Sequence, residues 1–380
     1  MVGQKTPPDP SPRGTGYAGA SMAVALAPDD IVRTHEQGAR NAREPLLVVE
    51  PLLEFLEANG LQAPSSLDAE PLGDGHSNVT FSLSTGLVLR RPPRGPLPPS
   101  AHDVLREARL LRALEATPVR VPKVLAVCDD PAAIGAPFYI MERVEGVVVT
   151  DSLPEPLDNL QQRGVIADEL IQALVELHAV DWRTVGLESF GKPTGYLERQ
   201  LRRFSGLWEY NRTRELPEVE RVYEWLAAHL PGSPPATIVH GDYRLGNTML
   251  TADAPARLVA IFDWEMATIG DPLADLGYLM IHWLESSDHP IGAFNLQSVT
   301  TLPGFPTRQQ LIERYEERSG RSMQALDWYV ALALWKAVVF MEGNYKRALQ
   351  GSTDDPFLKT FDESVVQLVR RAMQVTEHGF

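Results

Sequence analysis

The order of hydrophobic patterns along the chain is the feature that most limits its fold. Strand-like runs occur between Glu70 and Gly146, and one pair of runs predicts a hairpin that turns at residues 84–86. After Gly146 the apolar residues recur at helical spacing, as in residues 166–180, and residues 326–349 resemble a mostly buried helix, loosened near Gly343. We therefore predict an α+β fold, in which a small β-rich N-terminal lobe precedes a large helical C-terminal lobe.

The same patterns divide the 380-residue chain into three predicted segments. Residues 1–44 form a mostly disordered N-terminal tail, because the first stretch is rich in Pro, Gly and Ser and has no periodic apolar residues to bury. Residues 45–145 form the N-lobe, and residues 146–380 form the helical C-lobe. No apolar run reaches the roughly 20 residues of a membrane-spanning helix, and the N-terminus lacks the order of a secretory signal. These observations predict a cytoplasmic protein.

Charge and cysteine content exclude several classes of protein. The formal net charge of −15 argues against nucleic-acid partners, because such binding depends on cations that neutralise phosphates, and it also disfavours an anionic membrane surface. The one cysteine, Cys128, cannot form an internal disulfide or a thiolate metal site alone. Any bound metal must therefore have oxygen or nitrogen ligands. The sequence leaves the oligomeric state undetermined.

Polar residues with metal-ligand chemistry lie close together between Val239 and Asp263. Asn247 precedes, and Asp263 follows, two short apolar runs that flank a polar turn at residues 253–255, so hairpin pairing would bring both side chains to one end. Amide and carboxylate oxygens suit Mg²⁺, which also keeps waters for substrate phosphates. Asp242 lies in the loop that leads into this hairpin, where it could orient and deprotonate an attacking hydroxyl. The pattern predicts phosphoryl transfer.

These motifs resemble the aminoglycoside and choline kinase-like phosphotransferases, and within them the kinase-like domain fused to some acyl-CoA dehydrogenases. The family's HGDxxxxN loop stands at residues 240–247, its metal-binding segment at residues 263–265, and a typical GDPLADLG at residues 270–277. The resemblance covers about residues 70–350 and implies a bilobal protein-kinase-like fold with a nucleotide-binding N-lobe. It also implies that Glu265 reaches a second metal ion and that Asp275 supports the catalytic loop. His240 is then a packed loop residue rather than a base.

The predicted nucleotide site begins at a glycine-containing turn between two strand-like runs. Backbone amides there would approach the phosphates, although such a turn is also compatible with a plain hairpin. The candidate residues are Gly73, Gly75, Ser77 and Asn78.

Further nucleotide contacts come from the next strand, the next helix and the segment that joins the lobes. Arg90 stands where the resemblance implies a lysine, and the adjacent Arg91 leaves the register open. Glu107 is the partner implied for this cation, unless it lies on a solvated helix face. Backbone groups from Glu142 to Val144 would bind adenine, unless this segment is only an edge strand.

Taken together, these residues predict a Mg²⁺-dependent phosphotransferase that transfers a phosphoryl group from ATP or GTP to a small-molecule hydroxyl. The resemblance implies a hydroxy acid or hydroxyacyl-CoA as the acceptor. An aminoglycoside or choline-type acceptor is the alternative, but the segment after Gly277 has only isolated acids, such as Glu285, whereas a polycation requires many. An alternative of another class is a catalytically silent nucleotide-binding module, and intact Asp242, Asn247 and Asp263 argue against it.

Overall fold

The structure is a computed structural model that describes residues 27–72, 78–95, 102–294, 297–351 and 356–380. The strands within these ranges are β1 (Ile31–Val32), β2 (Leu47–Val48), β3 (Ala69–Leu72), β4 (Val79–Leu83), β5 (Leu87–Arg91), β6 (Val124–Cys128), β7 (Phe138–Glu142), β8 (Val147–Val148), β9 (Thr237–Val239), β10 (Thr248–Leu250), β11 (Leu258–Ile261) and β12 (Thr268–Gly270). The α-helices are α1 (His35–Gly38), α2 (Val49–Ala58), α3 (Val104–Leu114), α4 (Leu160–Ala179), α5 (Tyr196–Asn211), α6 (Pro217–Ala228), α7 (Leu273–His282), α8 (Arg308–Ser319), α9 (Leu326–Leu349) and α10 (Phe361–His378).

The small lobe is built on a five-stranded antiparallel sheet with the order β3-β4-β5-β7-β6. The predicted hairpin is present as β4 and β5, in which Thr80 pairs with Arg90 and Phe81 with Leu89. Alternation along β5 buries Leu89 on one face and turns Arg90 toward the other. The predicted α+β fold with a β-rich N-lobe and a helical C-lobe is confirmed.

One face of this sheet is covered by the segment that precedes it. Apolar side chains of α2, such as Leu52 and Leu56, form a buried cluster with Phe81 of β4. Asp30 holds this segment in place, because its carbonyl accepts the amides of residues 46 and 47 and its carboxylate pairs with Arg94. Of the predicted disordered tail, residues 27–44 therefore carry β1 and α1, and residues 1–26 lie outside the described ranges.

Helix α3 covers the opposite face of the sheet and is attached to the large lobe. The Arg106 guanidinium donates to the Phe190 carbonyl at 2.9 Å and lies 3.7 Å from the centre of that ring. Arg109 donates to the Gly186 carbonyl at 2.9 Å. The helix begins at Val104, and the Asp103 carboxylate caps it by accepting the Arg106 amide.

The large lobe is organised around α9, a long buried helix that packs against α5, α7 and α10. The prediction that this helix loosens near Gly343 is wrong, because α9 runs without interruption from Leu326 to Leu349. Gly343 instead permits close packing: a Cβ atom there would lie 2.5 Å from the side-chain nitrogen of Asn211 on α5. None of the described helices is long and apolar enough to cross a membrane.

Two small sheets present loops to the cleft between the lobes. Strands β10 and β11 form the predicted hairpin, with Thr248 opposite Ile261, and β8 pairs with the outer side of β10. Strands β9 and β12 pair separately, with Val239 opposite Thr268. Both pairs end beside the cleft, so the loop at residues 240–247 and the segment after Ile261 lie next to each other.

Candidate active site

A buried carboxylate fixes the start of the loop that follows β9. Asp275 is fully buried on α7, and its two oxygens accept the backbone amides of His240 and Gly241, each at 2.7 Å. The ring of His178 lies 3.1 Å from the same carboxylate. Burial is the main reason why the pKa of His178 is lowered. Asp275 therefore acts on the backbone of the loop and does not face the cleft.

Both ring nitrogens of His240 form hydrogen bonds with nearby backbone groups. Its Nε2 donates to the Phe262 carbonyl at 2.8 Å, and its Nδ1 accepts the Asp242 amide at 3.2 Å. The ring is buried and lies 4.6 Å from that of Trp264. A histidine with both nitrogens engaged is not available as a general base.

Asp242 and Asn247 are joined directly across the loop. The side-chain nitrogen of Asn247 donates to the Asp242 carbonyl and to its Oδ2, each at 2.8 Å. Asp242 Oδ1 is buried and has no hydrogen-bond partner in the described structure, although the Arg244 Nε lies 3.5 Å away. Burial, followed by the charge of Asp242, raises the pKa of the Tyr278 hydroxyl. Oδ1 is thus the carboxylate oxygen that forms no hydrogen bond with Asn247.

The hairpin places Asp263 beside Asn247. The Phe262 amide donates to the Asn247 carbonyl at 2.8 Å, so the next residue, Asp263, lies close to the loop. Asp263 has a φ of 64°, which is uncommon for a residue other than glycine and is a form of strain often found at functional sites. Its carboxylate is about one-third exposed and faces the cleft.

Arg90 connects this carboxylate to the small lobe. Its guanidinium donates to Glu107 Oε2 at 2.9 Å, to Asp263 Oδ1 at 3.0 Å and to the Thr80 hydroxyl at 3.1 Å. Burial acts to lower the pKa of Arg90, but Glu107 and Asp263 outweigh burial and hold that pKa above its usual range. Asn78 lies 3.4 Å from the same Glu107 oxygen.

Arg91 points to the opposite face of the sheet, which resolves the strand register. It donates to the carbonyls of Leu46 and Pro92, and burial lowers its pKa to about 10. Arg90 is therefore the cation that faces the cleft.

The remaining predicted residues differ in how the structure places them. Glu265 lies 3.6 Å from the His102 ring at the cleft. The Glu142 amide donates to the Lys123 carbonyl, so this amide is not available to a nucleotide base, and one Glu142 carboxylate oxygen accepts the Lys123 amide. Val144 lies in the segment between β7 and β8. The predictions for Gly73, Gly75 and Ser77 lie outside the described residues.

The donor set at the cleft fits Mg²⁺. Across the part of the chain that the structure describes, no cluster contains three or more metal-binding His, Cys, Asp or Glu side chains. The set here is instead one amide and two carboxylates, from Asn247, Asp263 and Glu265. Because the Asn247 nitrogen is committed to Asp242, its oxygen is the atom left for a cation. A few hard oxygens that leave positions for water and phosphate match the preference of Mg²⁺.

Aromatic and basic side chains of the large lobe differ in how the structure places them. Trp283 and Trp335 are core residues whose indole nitrogens donate to backbone carbonyls. His282, by contrast, lies between the rings of Tyr278 and Phe294, and its Nε2 is buried without a partner. Arg244 lies inside the HGDxxxxN segment, and its charge beside Asp242 was the available signal.

Comparison with known proteins identifies relatives over most of the chain. The profile of the phosphotransferase enzyme family matches residues 68–311. Acyl-CoA dehydrogenase family member 10 of Mus musculus is 36% identical over 300 residues, covering 77% of this chain and 28% of the relative. Acyl-CoA dehydrogenase family member 11 of Homo sapiens is 31% identical over 337 residues, covering 87% of this chain and 42% of the relative. The chain thus spans less than half the length of these relatives.

Solved structures share the same architecture. A Ralstonia eutropha protein provisionally described as an aminoglycoside phosphotransferase has a TM-score of 0.75 and 30% identity, over 87% of this chain and 98% of the other. The GDP complex of aminoglycoside 2'-phosphotransferase IIIa has a TM-score of 0.56 and 16% identity, over 87% of this chain and 100% of the other. At this low identity, the second similarity shows only that the two proteins share a fold.

Proposed function

Because this chain belongs to the phosphotransferase enzyme family, we propose that it transfers the terminal phosphoryl group of ATP or GTP to a hydroxyl of a small molecule. The observation that carries the proposal is the convergence of Asp242, Asn247 and Asp263 at the cleft, opposite the Arg90–Glu107 ion pair. Phosphoryl transfer requires little more than positioned charges and one carboxylate next to the acceptor.

Each of these residues has a proposed task. Asp242 orients the acceptor hydroxyl and takes its proton, and Oδ1, which Asn247 does not bond, is the oxygen that we assign to this task. Asn247 and Asp263 hold Mg²⁺, and Glu265 holds a second ion. When bound, Mg²⁺ neutralises charge on the phosphates. Arg90 contributes positive charge at the phosphates while Glu107 keeps its guanidinium in position.

The adenine or guanine base would lie against the segment that joins the lobes, where the Val144 backbone is the proposed partner. The amides of residues 73–77, together with Asn78, would contact the phosphates. The GDP bound to the aminoglycoside enzyme of the same fold supports a nucleotide in this cleft.

For the acceptor we propose a hydroxy acid or a hydroxyacyl-CoA. The similarity to two acyl-CoA dehydrogenase family members supports acyl chemistry. The residues beside Asp242 add a second argument, since Arg244 and His282 are not the acidic side chains that a polycationic aminoglycoside requires.

A panel of acceptors tests the proposal. Hydroxy acids, their CoA thioesters, choline, kanamycin and sugars are each incubated with ATP or GTP, with and without Mg²⁺, and products are followed by mass spectrometry. We expect Mg²⁺-dependent phosphorylation of a hydroxyacyl compound. Phosphorylation of choline or kanamycin alone would change the acceptor class but keep the reaction. No phosphorylated product and no nucleotide turnover would favour a silent nucleotide-binding module.

A further inference from the structure

An arginine of the catalytic loop lies directly beside the proposed base. The Nε of Arg244 is 3.5 Å from Asp242 Oδ1, and the Arg244 side chain is 28% exposed, so a ligand can reach it. Among the described residues, Asp242 is the only carboxylate that pairs with Arg244. A charge-assisted hydrogen bond between a guanidinium and a carboxylate is shorter, at about 2.7–2.9 Å. The guanidinium therefore faces the base without being tightly bonded to it.

A buried amide, rather than the base, holds this guanidinium in place. Gln297 is only 4% exposed, and with its side-chain oxygen turned to the catalytic loop it accepts Arg244 Nη1 and, at 3.2 Å, the Gly246 amide. Gly246 leaves room for the contact, because a Cβ atom there would lie 2.7 Å from the same Nη1. The Gln297 oxygen carries no charge and uses few of the five donors of a guanidinium. It therefore fixes the direction of the cation without neutralising it.

Other residues already orient Asp242. Asn247 donates to its Oδ2 at 2.8 Å, and the Tyr278 hydroxyl also bonds its carboxylate. The Asp242 amide donates to the ring of His240 at 3.2 Å. Orientation of the base therefore does not require an arginine at this position, whereas binding of the acceptor gives it a task.

Charge balance during the reaction favours an acceptor that carries an acid group. As the acceptor oxygen bonds the terminal phosphorus and the bond to the nucleoside diphosphate breaks, the hydroxyl proton passes to Asp242. Arg244 then loses the negative charge beside it. The nearby His282 ring is neutral, because burial, followed by Arg244, lowers its pKa to about 3, so Arg244 carries the positive charge on this side of the base. A carboxylate on the acceptor would keep the guanidinium paired throughout.

We propose that Arg244, held by Gln297, binds the carboxylate of a hydroxy acid whose hydroxyl is bonded to Asp242. The inference rests on the proposed function and chooses between the two acceptors named there. Because Arg244 Nε and Asp242 Oδ1 are 3.5 Å apart, only a few bonds separate the acid group from the hydroxyl. A short hydroxy acid meets this condition, and its two carboxylate oxygens match the guanidinium. A CoA thioester offers only an uncharged carbonyl at the same distance. Arg244 and Gln297 thus form an acid subsite.

The test uses two substitutions that change the charge of the acid subsite and one control. Arg244→Gln removes the cation, whereas Gln297→Glu keeps an oxygen for the same donors but supplies its own carboxylate to Arg244. Arg257→Gln is the matched control, because Arg257 is exposed and lies between β10 and β11. Each protein is assayed with short 2-, 3- and 4-hydroxy acids and with their neutral methyl esters. An NMR titration with butyrate, which has no hydroxyl, measures binding without turnover.

In Arg244→Gln and in Gln297→Glu we expect the KM for acids to rise about 10- to 100-fold, the usual effect of losing a hydrogen bond to a charged group. The KM for the esters and for the nucleotide should stay unchanged. Butyrate affinity should fall in both variants. Arg257→Gln should keep every wild-type constant.

Three results would overturn the inference and leave the proposed reaction intact. An equal loss of kcat for acids and esters would show that Arg244 only positions Asp242. A raised KM for the nucleotide would show that Arg244 binds the transferred phosphoryl group instead. Butyrate that binds wild type and Arg244→Gln equally, or binds neither, would show that there is no acid subsite. Conversely, butyrate binding that depends on Arg244, without phosphorylation of any acceptor, would support the acid subsite and contradict the proposed reaction.

Discussion

The guanidinium of Arg90 in the small lobe donates to Oδ1 of Asp263 in the large lobe at 3.0 Å. The two residues are 173 positions apart and connect the two lobes across the cleft. The same guanidinium neutralises Glu107, which is only 2% exposed. Arg90 thus has a structural task beside the functional task that we propose for it, and substitutions can separate the two.

Arg90→Ala should lose most of its activity and also lose stability, because it leaves the buried Glu107 charge without its cation, at a cost of about 3–5 kcal/mol. The double variant Arg90→Met, Glu107→Gln should recover stability, measured by urea unfolding, without recovering activity. Arg90→Lys should retain measurable turnover, since it keeps the charge but loses the fork geometry. Full activity in the double variant would contradict a role for this cation at the phosphates.

Asp242→Asn should abolish phosphoryl transfer, with kcat lowered by about 10²–10⁴, while nucleotide affinity persists. The reason is that we assign Asp242 to the acceptor, and the phosphates and Mg²⁺ to other residues. Turnover and calorimetric nucleotide binding measure the two effects separately. Asp253→Asn, an exposed change in the turn of the adjacent hairpin, serves as the control and should keep wild-type turnover. Near-wild-type turnover of Asp242→Asn would rule it out as the base.

Asp263→Ala should weaken binding of the Mg²⁺–nucleotide complex itself, in contrast to Asp242→Asn. The substitution removes one of the few oxygen ligands that the chain offers at the cleft. Calorimetric titration of nucleotide with and without Mg²⁺ measures the effect, and the Mg²⁺-dependent part of the affinity should disappear. Equal Mg²⁺-dependent affinities in wild type and variant would contradict the metal assignment.

His282 should make the folded protein sensitive to mild acid. Burial, followed by Arg244, lowers its pKa to about 3, whereas an unfolded histidine has a pKa of about 6.5. Between these values the unfolded chain binds a proton that the folded chain does not, so stability falls as pH falls below about 6.5. From pH 7 to pH 5 the loss should be about 1–2 kcal/mol. In His282→Phe, the drop in the free energy of unfolding between pH 7 and pH 5, measured by urea unfolding, should be smaller by this amount. A pH dependence identical to that of the wild type would contradict the assignment.

Gly277→Ala should destabilise the large lobe by about 1–3 kcal/mol. A Cβ atom there would lie 2.8 Å from the backbone carbonyl of Tyr329, which forces α7 and α9 apart. Gly206→Ala on α5 is the matched control, because a Cβ atom there meets nothing within 4 Å. It should stabilise by about 0.5–1 kcal/mol through helix propensity. Thermal unfolding measures the stability of both variants. Equal shifts in melting temperature would contradict close packing of α7 against α9 at Gly277.

The sequence could predict contacts between residues that lie close together in the chain. The β10–β11 hairpin and the adjacency of Asn247 to Asp263 follow from two apolar runs around a short turn. The choice between Arg90 and Arg91 was not predictable, because a slip of one residue exchanges the faces of a strand. The position of the Lys336 ammonium over the Phe204 ring was not predictable for another reason: it depends on how α5 packs against α9, and the two residues are more than a hundred positions apart.

The attachment of α3 to the large lobe has a consequence for regulation. Glu107 lies on this helix, and Arg106 and Arg109 fasten the helix to the carbonyls of Phe190 and Gly186. A helix fixed at these points cannot swing away from the cleft without losing both contacts and part of the shared core. A displacement of α3 that moved Glu107 away from Arg90 would therefore also break both of these contacts.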